Sequence, residues 1–386
     1  MSLEPVAIVG IGETRPVRRS EKSLRGLVIE AVQAALADAG LKPTDVDAIV
    51  TDGLVMPNTV PRDFVAAQFG IDRRFDGGLS YTGAGIANAP KLAQFAISSG
   101  QADVVLCYFG VDWGTRASGP YGFHDLYEGK GTFEKPYGFS AQPSYFALWA
   151  TRYMHEYGLT EQDLATIAVT QRQNALLREL AQAKSPMSYD DYFAARVVSS
   201  PLRVPDCCLI TDGAAAFVMT SRERARDLRQ PPVQVLGVGF GSEPISGDDG
   251  FTQPGGMMHI TGAKAAADRA LGEAGIGLAD VNFAEIYDCF TISCLMQLEA
   301  IGFCERGEGP AFIREIGLGI GGGLPVNTHG GLLSHSYLLG IEHIIEGVRQ
   351  LRGQAGDAQV SDAEIGLVGL LSNPDYGVLL LGRDAR

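Results

Sequence analysis

ALADAGLKPTDVDAIVTD at residues 35–52 lines up with ALGEAGIGLADVNFAEIYD at residues 270–288. Each reads as the end of an amphipathic helix, a glycine stop (Gly40, Gly275), a short loop and a strand. Upstream of each copy lies a second matched pair, VAIVGIG at 6–12 and VQVLGVG at 233–239. These are short apolar runs closing on glycines, the pattern of a buried strand and a turn. In the first copy Leu24, Leu27, Val28, Ala31 and Val32 recur at helical spacing, which gives the helix one apolar face. The same β–α–β order therefore occurs twice, about 230 residues apart. Agreement in both order and identity predicts an α/β protein of two halves related by duplication, each burying a sheet beneath helices.

Each half closes with further strand-like runs. In the first half they are ADVVLCYFG (102–110) and AAAFVMTS (214–221), and in the second IGLVGLL (365–371) and GVLLLG (377–382). The halves divide at residues 1–230 and 231–386, with an insertion in the first at about 111–200. The front of that insertion is rich in Gly, Pro and aromatics, among them Trp113, Tyr121, Phe123, Tyr127, Phe133, Tyr137, Phe139, Tyr145 and Phe146. Its back part, TEQDLATIAVTQRQNALL (160–177), predicts a helix capped by Thr160 with Asp163 three residues on. An aromatic insertion in one half only reads as a lid or substrate-facing segment, or as a dimer surface.

Composition narrows the function classes. A formal charge of −14 argues against a nucleic-acid surface or an anionic membrane, both of which call for basic patches. No apolar run approaches the roughly 20 residues that span a bilayer. The N-terminus, MSLEPVAIVG, enters a strand at once, so no signal peptide is expected. Cysteines 107, 207, 208, 289, 294 and 304 lie in or beside apolar stretches, the pattern of reduced, buried thiols in a cytoplasmic protein. Cys289, Cys294 and Cys304 lack paired C-x2-C spacing, so no metal site is expected. The Gly-rich run 317–323 has no following Lys-Ser/Thr and is not read as a nucleotide loop.

The chemistry-bearing loop is VNTHGGLLSHSYLLG, residues 326–340, in which His329, His335 and Tyr337 surround Gly330 and Gly331. With DCCLITDGAAAFVMTS (206–221), EIYDCFTISCLMQLEAIGFCERGEG (285–309) and the duplication itself, it makes the chain resemble the thiolase superfamily over essentially its whole length. The likeness is greatest to the sterol-carrier-protein-X and lipid-transfer-protein branch. The resemblance implies a thiolase fold, five layers in αβαβα order, with a buried central helix after Gly83. In such an arrangement the two VxxxGxG strands are expected in separate sheets.

Thiolases of that branch carry a nucleophilic cysteine at the start of that central helix and two histidines. Here Gly83 stands at the cysteine position, and no cysteine occurs before residue 107. The family's His-Asp-Cys-Phe is Tyr287-Asp288-Cys289-Phe290, and its Ser-Lys-Gly-His-Pro is Ser334-His335-Ser336-Tyr337-Leu338. Without a thiolate no covalent acyl-enzyme forms at Gly83. Two tyrosines in matching places resemble instead the aldolases of steroid side-chain breakdown, whose catalytic pair are tyrosines in these stretches. The implied activity is lyase chemistry, retro-aldol cleavage of a β-hydroxyacyl-CoA, with coenzyme A entering only as part of the substrate and no other cofactor.

Such cleavage needs a base for the β-hydroxyl, donors for the enolate oxygen and an acid for the α-carbon. Tyr287 and Tyr337 are the acid–base candidates. A tyrosinate at pH 7 would need nearby positive charge or hydrogen bonds, since the phenol's ordinary pKa is about 10. His329 and His335 are the local candidates to provide them. Backbone N–H groups of Gly330 and Gly331, or of the 321–323 turn, are candidates for the oxyanion site. Cys289 is the alternative nucleophile for an acetyl-CoA acetyltransferase, and a non-catalytic acyl-CoA or lipid-binding subunit is the third reading. The resemblance also implies a homodimer and a small zinc-ribbon/OB-fold partner protein.

Overall fold

The computed structural model describes residues 3–53, 59–79, 83–116, 128–139, 141–244, 260–372 and 374–384. Their strands are β1 (Val6–Glu13), β2 (Ala48–Thr51), β3 (Phe75–Gly78), β4 (Val104–Asp112), β5 (Val197–Ser199), β6 (Leu202–Arg203), β7 (Asp212–Ser221), β8 (Val233–Ser242), β9 (Phe283–Ile286), β10 (Ile365–Ser372) and β11 (Asp375–Arg383). β5 and β6 form a small ribbon, and the other nine are ordered β3-β2-β4-β7-β1-β8-β11-β10-β9.

That order is a duplication drawn in strands. β2-β4-β7-β1 in the first half repeats as β9-β10-β11-β8 in the second, with the same senses: parallel, antiparallel, antiparallel. β3 is an addition at the first half's outer edge. Each half also carries a helix after its first strand (Leu24–Ala39, Thr261–Ala274) and one before its parallel neighbour strand (Ala84–Ser98, Ile341–Arg352). Gly40 and Gly275 end the first pair in the left-handed conformation, at φ 72° and 70°, as their place after the apolar pattern predicts.

Period-2 alternation sorts the strands' two faces. Ala7 and Val9 of β1, with Val104, Leu106 and Tyr108 of β4, pack under the 24–39 helix. Ile8, Val105, Cys107 and Phe109 face the interior of the molecule. There the 84–98 and 341–352 helices touch strands of both halves, while the 261–274 helix covers the outer side of β8 and β11. Helix, sheet, central helices, sheet, helix are the five layers expected, and the helix after Gly83 is one of the central two.

Two expectations are corrected. The repeated glycines do not make turns: β1 runs through Gly10 and Gly12, and β8 through Gly237, Gly239 and Gly241. A Cβ at Gly12 would lie 2.3 Å from Ala31 O, and one at Gly239 1.9 Å from Ala266 O, so the glycines let a helix backbone rest on the strand. Nor are the repeated strands in separate sheets, since β1 and β8 pair through Ala7↔Gln234 and Ile8↔Val233. The antiparallel register places the first residues of each strand side by side, after which the strands run apart. Two half-sheets are thus joined at one corner, where each covers the other's exposed polar edge.

Of the insertion's aromatics, Trp113, Tyr145 and Phe146 are buried, while Phe133 and Tyr137 are exposed; Tyr121, Phe123 and Tyr127 lie outside the described residues. The helix Glu161–Leu176 has the capping box that Thr160 and Asp163 predict. No helix among the described residues is long and apolar enough to cross a membrane.

Candidate active site

Tyr287 follows β9 directly. Its N–H donates to Gly369 O of β10 at 2.9 Å and its carbonyl accepts from Gln297 Nε2 at 2.6 Å, so the backbone that carries the phenol is held from both sides. The 326–340 loop is fastened to the same strand by Asn327. The Asn327 amide takes the Ile286 N–H at 2.6 Å and gives a hydrogen bond to the Ile286 carbonyl at 2.9 Å, imitating a strand neighbour. Its φ of 51° is a conformation asparagine tolerates.

Asp288 closes the other side. Its carboxylate accepts from the N–H groups of Leu332 (2.8 Å) and Leu333 (3.3 Å), in the short helix Gly331–Ser334. A Cβ on Gly331 would come within 2.2 Å of that carboxylate, and one on Gly330 within 2.4 Å of Ala175 Cβ. Both glycines serve close approach. Gly330 N–H is committed to Asn327 O at 2.8 Å, and the amides of Gly322 and Gly323 to Gly319 O and Ile316 O, so these do not form the oxyanion site expected of them. Thr211 sets the last link: its hydroxyl donates to Gln182 Oε1 and accepts the Tyr337 N–H at 2.9 Å.

The outcome is that two phenols from distant stretches meet. Tyr287 Oη and Tyr337 Oη are 3.2 Å apart, one hydrogen bond. Tyr287 is buried and Tyr337 nearly so. Burial pushes both phenols well above 10; Tyr337 and then Cys289 further oppose ionisation of Tyr287, and Cys208 and Cys289 oppose that of Tyr337. Both are neutral at pH 7. Gly83 lies beside them, at φ 85°, and a Cβ there would be 3.4 Å from the Tyr287 ring and 2.7 Å from Leu371 O.

The structure does not bring the two expected imidazoles to the phenols. His329 Nδ1 is 3.0 Å from Glu285 Oε2, and its ring meets those of His335 and His343 edge-on at 4.8 and 5.0 Å. His335 Nε2 is 3.8 Å from Glu13 Oε1. Burial, then the other histidines, keep His329 well below its ordinary range, so it is uncharged. Glu13 would be raised by burial, but Arg349 at 3.1 Å and His335 hold it down at about 2. This buried polar cluster underlies the loop rather than ionising the tyrosines. Cys289 does lie near the phenols, but burial pushes its thiol up to about 12. Among the described residues no group of His, Cys, Asp and Glu is arranged to hold a metal.

Sequence reasoning missed Asp288, Asn327 and Thr211 as the residues that aim the pair. Asp288 and Asn327 stood inside the motifs, and the signal available was their polar side chains next to apolar strand residues. Nothing near Thr211 pointed to Tyr337.

Known proteins resemble the chain over its whole length. Residues 250–373 match the family described as Thiolase C-terminal domain-like. The chain is 36% identical to a steroid side-chain-cleaving aldolase of Thermomonospora curvata, covering 100% of both chains. It is 37% identical to the 17-hydroxy-3-oxo-4-pregnene-20-carboxyl-CoA lyase of Mycobacterium tuberculosis, covering 90% of this chain and 91% of the relative. The solved structure titled Ltp2-ChsH2(DUF35) aldolase superposes with a TM-score of 0.92 at 34% identity, covering 100% of this chain and 99% of that one.

The chain belongs to the thiolase superfamily, in the group that joins the relatives of sterol carrier protein 2 to the steroid side-chain aldolases. Like the latter it is an enzyme of the carbon–carbon lyase kind.

Proposed function

We propose that the protein cleaves a β-hydroxyacyl-CoA from a steroid or similar lipid side chain by a retro-aldol reaction in which Tyr287 and Tyr337 act as one proton relay. The 3.2 Å contact between two neutral phenols carries the reading. As the bond between α- and β-carbons breaks, the β-hydroxyl proton passes to one phenol oxygen. That phenol gives its own proton to the second, and the second protonates the α-carbon. The products are a carbonyl compound and a shortened acyl-CoA. Atoms balance, and neither tyrosine is left as a phenolate, in keeping with a buried site that penalises the charge. Gly83 leaves no nucleophile at the mouth of the central helix, and a thiol held near 12 disfavours an acyltransferase working through Cys289.

The test is cleavage of a panel of β-hydroxyacyl-CoAs followed by mass spectrometry. Tyr287→Phe and Tyr337→Phe should each lose roughly 10²–10⁴-fold in rate, the usual contribution of a general acid–base group, with fold and acyl-CoA binding retained. Cys289→Ala should cost little. The reading fails if both phenylalanine variants keep near-full activity, or if the Cys289 variant is the dead one.

A homodimer, and a small zinc-ribbon/OB-fold partner, belong to the same proposal. The similar structure, the Ltp2-ChsH2(DUF35) aldolase, is named for two components, which supports the partner. A clean monomer in sedimentation at micromolar concentration counts against the dimer, and full activity of the isolated chain counts against an obligatory partner.

A further inference from the structure

The retro-aldol reading leaves one requirement without a residue. When the carbon–carbon bond breaks, its electron pair moves through the α-carbon into the thioester carbonyl, and the oxygen there takes up negative charge. Of the glycine amides expected to receive it, those of Gly330, Gly322 and Gly323 are committed elsewhere. We propose that the indole N–H of Trp113 is the donor that holds this enolate oxygen.

Trp113 stacks on Tyr337, with ring centroids 6.0 Å apart and planes 14° from parallel. It is only 5% exposed, yet its Nε1 has no hydrogen-bond partner among the described residues. Buried tryptophans ordinarily find a partner for that hydrogen, because an unpaired buried donor is unfavourable. An orphan donor stacked on a reacting phenol has the geometry of a group kept ready for a ligand atom.

The surroundings hold the indole still and sharpen it as a donor. The Trp113 backbone N–H donates to Thr211 O at 3.2 Å, and the Thr211 hydroxyl accepts the Tyr337 backbone N–H, so one residue sets both rings. Asp212 then anchors the chain beyond it, taking the N–H groups of Gly114 (2.7 Å) and Thr115 (3.2 Å) as well as the Thr115 hydroxyl. A Cβ on Gly114 would lie 1.5 Å from Arg18 O, so this passage admits only glycine without a shift. The Arg116 guanidinium, paired with Asp112 at 3.0 Å, lies 5.9 Å from the Trp113 ring centroid. A cation over the ring draws electron density from the nitrogen and strengthens the N–H as a donor. In the reaction the indole keeps its proton and gives only a hydrogen bond, while the phenols carry the proton from the β-hydroxyl to the α-carbon.

This inference rests on the retro-aldol reading, and the experiment separates the two. Trp113→Phe keeps an aromatic ring against Tyr337 and removes the donor. Cleavage by the full-length variant should fall roughly 10²–10³-fold in kcat, the usual effect of losing one oxyanion donor, with KM changed far less. A second measurement excludes a merely structural role: the affinities of propanoyl-CoA and of its S-propyl thioether analogue, which lacks the carbonyl oxygen. The unsubstituted protein should prefer the thioester, and Trp113→Phe should bind both alike. If Trp113→Phe cleaves at the full rate while Tyr287→Phe is dead, the indole role is overturned and the relay stands. An unchanged thioester preference in Trp113→Phe overturns it as well. If neither tyrosine variant is impaired, the reading beneath it has failed.

Discussion

Tyr287 and Tyr337 were legible in the sequence because each stands in a long motif at a position that demands a proton-transfer group. Their electrostatic setting was not. His335 is two residues from Tyr337, and that nearness suggested an activating charge. His335, however, caps the short helix Gly331–Ser334 and turns toward Glu13 and His329, while Tyr337 lies beyond the helix end. A consequence follows for the pH dependence. Both phenols are raised well above 10, so no phenolate forms as pH climbs through neutrality. The rate constant for cleavage should therefore be flat between pH 6 and about 9 if the relay carries the proton. A rise with a midpoint in that range, in single-turnover measurements, would mean that a phenolate base is at work. Trp113 shows the other limit. It stood among many aromatics of the insertion, and only the fold brings it onto Tyr337.

At the level of elements, the amphipathic helices and apolar strands could be read directly, but the glycines of VAIVGIG and VQVLGVG could not. Glycine after an apolar run signals a turn, and it equally permits backbone contact across layers; the sequence does not distinguish them. Here the second use prevails, which makes a strong claim about mutation. Gly239→Ala puts a methyl group 1.9 Å from Ala266 O, in backbone that has no flexible end to move. Overpacking of that kind should cost about 3 kcal/mol or more, read as a lower denaturant midpoint, whereas Gly272→Ala on the open side of the same helix should not destabilise. The 326–340 loop offers a second case. Glu342 accepts the N–H groups of Leu338 (2.5 Å) and Gly340 (2.8 Å), yet burial raises its carboxyl to about 7. Its folded pKa lies above the unfolded value near 4.5, so its contribution to stability is complete below pH 4.5 and is lost as pH rises through 7. The slope is at most about 1.4 kcal/mol per pH unit. Thermal melts from pH 5 to 8.5 should show a steeper decline for the unsubstituted protein than for Glu342→Gln, and parallel curves would refute the assignment.

For the whole molecule, the repeat disclosed two related halves and the layer order, while their meeting at a corner depended on two residue pairs no pattern marks. That corner has a bearing on how the protein is made. β1 leaves the ribosome first, but one of its edges is covered by β7 and the other by the start of β8. At roughly 5–20 residues per second, the 200 or so residues that separate it from β7 take about 10–40 s to synthesise. For that interval a strand as apolar as VAIVGIG has no neighbour on either side, a template for pairing with another chain. A fragment ending at residue 200 should therefore aggregate or be found bound to chaperones, and a soluble, protease-resistant fragment of that length would show that the strand is sheltered in another way. Growth of the nascent chain, more than the chemistry of the finished site, is the stage at which this architecture is most exposed to failure.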